Sequence, residues 1–182
     1  MNRSSIRGAI TATVFAAFMG IVLLIHHGAT VKAAPSPRIH HCPNIQVQIV
    51  PINRGLGAAL GHIGRWYRIR DLWSDPCSLQ GFPGVELLDR NFHSLPRQVG
   101  RGGYIISSTT PERWVVLDPR HDAYFALEYT HIQTGDQPCR TVPYLLITPP
   151  NDSLPVVTDS GAIAPCPSEI GVSPVEATPA LP

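Results

Sequence analysis

Thiols and imidazoles are the groups whose number in this chain invites chemistry: four cysteines, Cys42, Cys77, Cys139 and Cys166, and eight histidines, among them the run His40-His41-Cys42. Such groups ligate zinc or copper when spacing brings them together. No two cysteines show the short spacing of a zinc knuckle. Adjacent histidines on a strand point to opposite faces, and His62, His93, His121 and His131 fall in different segments without helical i, i+4 spacing. Solvated loop histidines therefore explain the pattern better than a metal site, and no cofactor is expected. Nucleophilic catalysis would need a serine, a base and an orienting carboxylate, such as Ser107 or Ser108 with His121 and Asp122. Neither serine stands in a G-x-S-x-G turn, so no catalytic residue is expected. Gly55-Leu56-Gly57-Ala58-Ala59-Leu60-Gly61 misses the dinucleotide fingerprint by one place and has no βαβ unit around it. Trp66, Trp73 and Trp114 with Tyr104 and Tyr124 are left as candidates for a ligand-binding face, although tryptophan between layers of strands is more often core.

Composition narrows the partners of the chain that carries these groups. A net charge of +1 with 15% charged residues leaves no electrostatic footprint for nucleic acid. Arg3 and Arg7 precede an uncharged run from Gly8 to Ile25, then a small-residue patch around Ala33. This is an export signal, either cleaved after Ala33 or kept as a membrane anchor, and in both cases the bulk of the chain lies outside. All four cysteines follow that segment, and an even count in an oxidising compartment reads as two disulfides.

Beyond residue 42 no stretch holds an apolar helical period over three turns, whereas short runs of period two recur between Gly and Pro, of which the chain has 19 prolines. Expected strands are Ile45 to Ile49, with Ile45, Val47 and Ile49 inward and Gln46 and Gln48 outward. Next come Arg65 to Trp73, with Tyr67 and Ile69 inward, and Val85 to Asp89. Asn53 to Gly61 reads as a connection, and Asn91 to Thr110 as a loop with a strand near Leu95 to Val99 and an edge strand at Tyr104 to Ile106. Trp114 to Leu117 and Ala123 to Thr130 read as the paired centre of a sheet, the latter with Ala123, Phe125, Leu127 and Tyr129 on one face. Tyr144 to Thr148 follows, and Ala162 to Ala164 or Ile170 to Val172 supplies the last strand. The expected fold is all-β, an antiparallel immunoglobulin-like β-sandwich over residues 42–172. An N-terminal hydrophobic signal or anchor helix and linker occupy residues 1–41, and a disordered Pro-rich tail occupies residues 173–182.

The densest signal is Cys77-Ser78-Leu79-Gln80-Gly81-Phe82-Pro83-Gly84-Val85-Glu86-Leu87-Leu88-Asp89. Gly81 and Gly84 tolerate positive φ, Pro83 fixes its own φ, and Phe82 must be extended before it. This stretch resembles the bacterial envelope family called domain of unknown function 4232, which shows a cysteine, a leucine, Gly-aromatic-Pro-Gly and a Val-x-Leu-Leu-Asp strand. Cys42, Gly57 to Gly61, Val116-Leu117-Asp118-Pro119, Cys139, Leu145 to Pro149 and Cys166 are similar to its other pieces, so the resemblance runs from Cys42 to Cys166. Asp71 stands where the family has asparagine, and Arg120 where it has glycine. The resemblance implies a secreted or membrane-anchored immunoglobulin-like domain and no catalytic residue. Among the three possible connectivities, sequential pairing of Cys42 with Cys77 and of Cys139 with Cys166 is favoured. The expected role is a non-catalytic binding or structural protein of the bacterial cell envelope, with an envelope protein or glycan as ligand. It touches the membrane through the N-terminal segment if uncleaved. The rival readings are an extracytoplasmic hydrolase with a non-standard site and a metal-binding envelope protein.

Overall fold

Short apolar alternation punctuated by proline and glycine leaves the chain little choice but strands, and a computed structural model describing residues 39–167 and 169–179 contains twelve of them. In order they are β1 His40–His41, β2 Val47–Ala59, β3 His62–Asp71, β4 Cys77–Leu79, β5 Gly84–Leu88 and β6 Ser94–Leu95. β7 Val99–Arg101, β8 Val115–Leu117, β9 Ala123–Thr130, β10 Val142–Thr148, β11 Val156–Ile163 and β12 Ile170–Val172 complete the set. Among the described residues the helical structure is a single 3₁₀ turn, Asn44–Gln46, and no helix is long and apolar enough to cross a membrane. The expected signal or anchor helix lies outside the described residues.

The strands form a five-stranded sheet in the order β2-β3-β9-β12-β7, a four-stranded sheet β11-β10-β5-β6 and a three-stranded sheet β1-β4-β8. Most pairings are antiparallel, as expected, but β1 with β4 and β7 with β12 run parallel. One core draws on all three sheets: Val47, Ile49, Tyr67, Ile69, Phe125 and Leu127 from the first, Leu87, Leu145, Ile147 and Ile163 from the second, Leu79, Val115 and Leu117 from the third. Across the first two sheets the hydroxyl of Thr158 on β11 donates to Ile49 O on β2 at 2.6 Å, and that of Tyr67 donates to Ser160 O at 2.7 Å. Burial, only partly offset by the Arg65 charge, pushes the Tyr67 hydroxyl far above its usual range, so it stays a donor at every physiological pH.

Alternation placed most inward residues correctly, and the departures have local causes. Ile45 is 64% exposed and Gln46 fully buried, the reverse of the expected phase, because the 3₁₀ turn precedes the strand. Gln46 satisfies its buried amide by donating from Nε2 to Asp75 O at 2.7 Å, while its Oε1 lies 3.0 Å from His40 Nε2. Asn53 to Gly61 is not a connection: β2 continues to Ala59 through two register shifts, around Gly55, and pairs with β3. Trp114 to Leu117 and Ala123 to Thr130 do not pair; β8 joins β4 and β9 is the middle strand of the five-stranded sheet. Tyr104 to Ile106 is not a strand. Cys77 is itself on β4, and β11 begins at Val156, well before Ala162. Ser173 to Glu176, expected to begin a disordered tail, are packed: Val175 is buried, its N–H donates to Gly81 O at 2.8 Å, and Glu176 bridges to Tyr124.

The cysteines join as Cys42–Cys77 and Cys139–Cys166, closing sequence separations of 35 and 27 residues. In the chain-entropy picture each contributes about 3 to 4 kcal/mol by restricting the unfolded chain. In the Gly81-Phe82-Pro83-Gly84 turn, Gly81 adopts φ 106°, a region costly for any side chain, whereas Gly84 begins β5 without positive φ. Phe82 lies under the Arg101 guanidinium, 4.8 Å from ring centre to Cζ.

Candidate binding cleft

β8 pairs with β4 through Cys77↔Leu117, Ser78↔Val116 and Leu79↔Val115. Its period of two buries Val115 and Leu117 and turns Val116, together with Trp114 just before the strand, outward. Trp114 is 58% exposed and stacks on His41, ring centres 5.6 Å apart, because β1 pairs with the other edge of β4. The chain then turns through Asp118 to His121. Asp118 holds that turn: its carboxylate accepts the Arg120 N–H at 2.7 Å and the His121 N–H at 3.1 Å, with His121 Nδ1 at 2.9 Å. The His121 side chain, then the backbone donors, keep the Asp118 carboxyl below the usual carboxylate range.

Past the turn, Asp122 accepts from Arg70 Nε at 3.1 Å and Arg70 Nη2 at 3.2 Å, with Arg68 Nε at 3.7 Å. That side-chain pairing raises the Arg70 guanidinium further above its ordinary value. Tyr124 projects from the face of β9 opposite the core, and its backbone exchanges two 2.8 Å hydrogen bonds with Glu176, which carries the following residues alongside. Between β8, the turn, Tyr124 and Thr178 lies an open cleft of about 330 Å³. A second hollow of about 270 Å³ opens beside it toward Arg113 and Glu176, and Trp114, Val115, Ala177 and Thr178 line both. An exposed indole and a half-buried phenol with Arg120, Arg113 and His121 at the rim offer a flat apolar contact plus a few directional polar groups, the makings of a recognition site.

Of the aromatic residues singled out from sequence, this cleft unites Trp114 and Tyr124. Trp66 is buried with Ile106 and Ala126, Trp73 is exposed elsewhere, and Tyr104 stacks on His62 at 5.1 Å. The histidines do not converge: His40 meets Gln46, His62 meets Glu128, His93 meets Asp89 and His121 meets Asp118. Among the described residues no group of three His, Cys, Asp or Glu side chains is placed to hold a metal. Ser107 Oγ pairs with Thr109 Oγ1 at 2.8 Å, and no hydrogen bond joins Ser107 or Ser108 to His121 or Asp122.

Glu128 is the residue that pattern reading missed. It lies on β9, 2% exposed, and its carboxylate accepts three backbone N–H groups, Tyr104 at 2.7 Å, Ile105 at 2.7 Å and Ile106 at 2.8 Å, with His62 Nδ1 at 2.7 Å. The strap from Gly102 to Thr110 is thereby held over Trp66 and Ala126, and a Cβ at Gly103 would meet Glu128 Oε2 at 2.5 Å and push the carboxylate off these donors. The only sequence signal was an acidic residue inside an otherwise apolar strand.

A model of the family described as domain of unknown function (DUF4232) matches residues 73–176. The match contains the Cys77 stretch, the cleft residues of β8 and β9 and both cysteines of the second bridge, and it leaves out Cys42 and the Gly57 to Gly61 segment. No curated protein and no solved structure matches the chain.

Proposed function

Because the chain belongs to the family described as domain of unknown function (DUF4232), whose name carries no activity, we propose a role from its geometry: a non-catalytic module outside the cytoplasmic membrane that binds a glycan of the bacterial envelope in the cleft at Trp114. Two disulfides support the compartment, since reducing cytosol keeps thiols apart. The export-type N-terminal segment, cleaved after Ala33 or retained, supports the same placement. We read the five-stranded and four-stranded sheets as the two layers of an immunoglobulin-like sandwich, a reading supported by their shared core and by one hydrogen bond each from β11 to β2 and from β3 to β11.

The observation that carries the binding role is an indole more than half exposed at the boundary of two adjoining hollows. Exposing that much apolar ring has no folding benefit, while an aromatic plane flanked by guanidinium and imidazole donors suits the apolar face and hydroxyls of a sugar. The separate partners of Ser107 and His121 support a non-catalytic role. Glycan strands released from purified peptidoglycan are the test ligand for the full-length chain in detergent. Trp114→Ala should weaken their binding at least about tenfold with an unchanged unfolding temperature. Equal binding by both proteins would remove the cleft from the proposal.

A further inference from the structure

A third hollow sits far from Trp114 in the chain's pairing scheme and shares no lining residue with the cleft or the hollow beside it. Its floor is Leu87 on β5 and Val142 on β10, both almost fully buried, with Leu95 on β6, and its walls include Pro138 and Pro165. Arg97 and Arg140 stand among the lining residues with the Gln137 amide, and no acidic side chain does. Its volume is about 190 Å³.

Two features set this hollow apart from an accidental gap. Its walls are fixed: Leu87 pairs with Leu95 across two strands, the Cys139–Cys166 bridge ties Pro138 and Arg140 to Pro165, and the Arg140 N–H donates to Pro165 O at 3.2 Å. Its charge is unanswered as well. Arg68, Arg70 and Arg101 each have a carboxylate oxygen within 4.0 Å, whereas among the described residues neither Arg97 nor Arg140 has one. Arg97 uses one donor on Pro96 O at 3.2 Å, which leaves most of its planar fork free. A guanidinium fork matches the two oxygens of a carboxylate or phosphate, and a dry-floored space of this size takes a body close to a benzene ring, which a 150 Å³ aliphatic cavity is known to hold.

We infer that this hollow is a binding site for a small organic anion, a carboxylate or phosphate head on a ring-sized apolar body, seated with the head between Arg97 and Arg140. The site is independent of the glycan cleft, and either assignment stands if the other fails.

Calorimetric titration of the full-length chain in detergent with benzoate, phenyl phosphate and the neutral benzyl alcohol tests it. At least one of the two anions should bind, and benzyl alcohol should bind at least tenfold more weakly; the stronger anion identifies the head group. Arg97→Gln and Arg140→Gln should each reduce anion affinity roughly tenfold, as expected for loss of a charge-assisted pair, and the double variant should show only partition into micelles. Arg97→Lys and Arg140→Lys, which keep the charge, serve wherever a glutamine variant unfolds below the parent temperature, and they should lose less than the glutamine changes. Trp114→Ala should leave the titration unchanged. Benzyl alcohol matching the anions, unchanged affinity in both arginine variants, or no heat from either anion up to about 10 mM would each overturn the assignment.

Discussion

At Glu128 the outer face of the middle strand is closed, with three backbone donors of the covering strap answered, whereas at Tyr124, four residues earlier on the same face, it opens into a cleft with an indole more than half exposed at its wall. The two ends share a strand, a sheet and a twist, so the difference comes from what the chain lays over them. A strap of nine residues covers one end because a carboxylate collects its N–H groups; a turn and an extended segment border the other without filling it. Burying a carboxylate is costly unless it is well bonded, so a sheet spends such a group where a loop must be held still. The open end carries its charges in exposed pairs, Asp122 with Arg70 and Asp118 with His121, which contribute little to stability and are available to a ligand.

Changes to that strand should sort by which surface they touch. The largest effect belongs to the core face: Phe125→Ala, beneath the Tyr67 ring at 5.2 Å, should lower unfolding free energy by about 3 to 5 kcal/mol in urea titrations. A loss under about 1 kcal/mol would mean the two sheets do not share this core. Next is Glu128→Ala, expected to cost about 2 to 3 kcal/mol because water can reach the freed N–H groups once the strap lifts. Hydrogen exchange at the Ile105 and Ile106 amides should accelerate and tryptophan emission should shift red as Trp66 becomes wet; unchanged exchange at those amides would refute the latch.

A smaller, pH-dependent effect should appear at Glu176 beside the open end. Burial raises its carboxyl above the ordinary 4.5, so the folded protein holds that proton more tightly than the unfolded chain does. Stability from this group is therefore full below the unfolded value and declines as pH rises through the folded one. Glu176→Gln should raise the melting temperature slightly near pH 7 and leave it unchanged near pH 3; the same gain at both would assign the effect to something other than ionisation. Smallest of all, Trp114→Ala should alter stability by less than about 0.5 kcal/mol, and a larger loss would show the indole to be structural.

The closed side of this picture was only half visible in the sequence. Ala123, Phe125, Leu127 and Tyr129 announce their face by period alone, and so do Tyr67 and Ile69. Glu128 does not, since its partners lie 22 to 24 residues away in a segment without pattern, and such long-range backbone capture leaves no periodic trace. The phase error at Ile45 and Gln46 has the same root: a 3₁₀ turn looks like one more alternating step until its hydrogen bonds are known. Proline, glycine and aspartate near both ends of β11 hid all but its last residues, because breakers in an edge strand read as loop. At the cleft, Trp114 and Tyr124 were legible as aromatics, but the reading that paired their strands missed that β8 and β9 belong to different sheets.

The first bridge has a mechanical meaning. Tension applied to residues ahead of His40 enters the domain where β1 lies parallel to β4, and two residues later it meets a covalent bond from Cys42 to Cys77. The pull then bypasses β2 and β3, both enclosed in that loop, and is delivered directly to the interior. A domain tethered at that end can be tugged hard without its longest hairpin being peeled away, until the sulfurs are reduced.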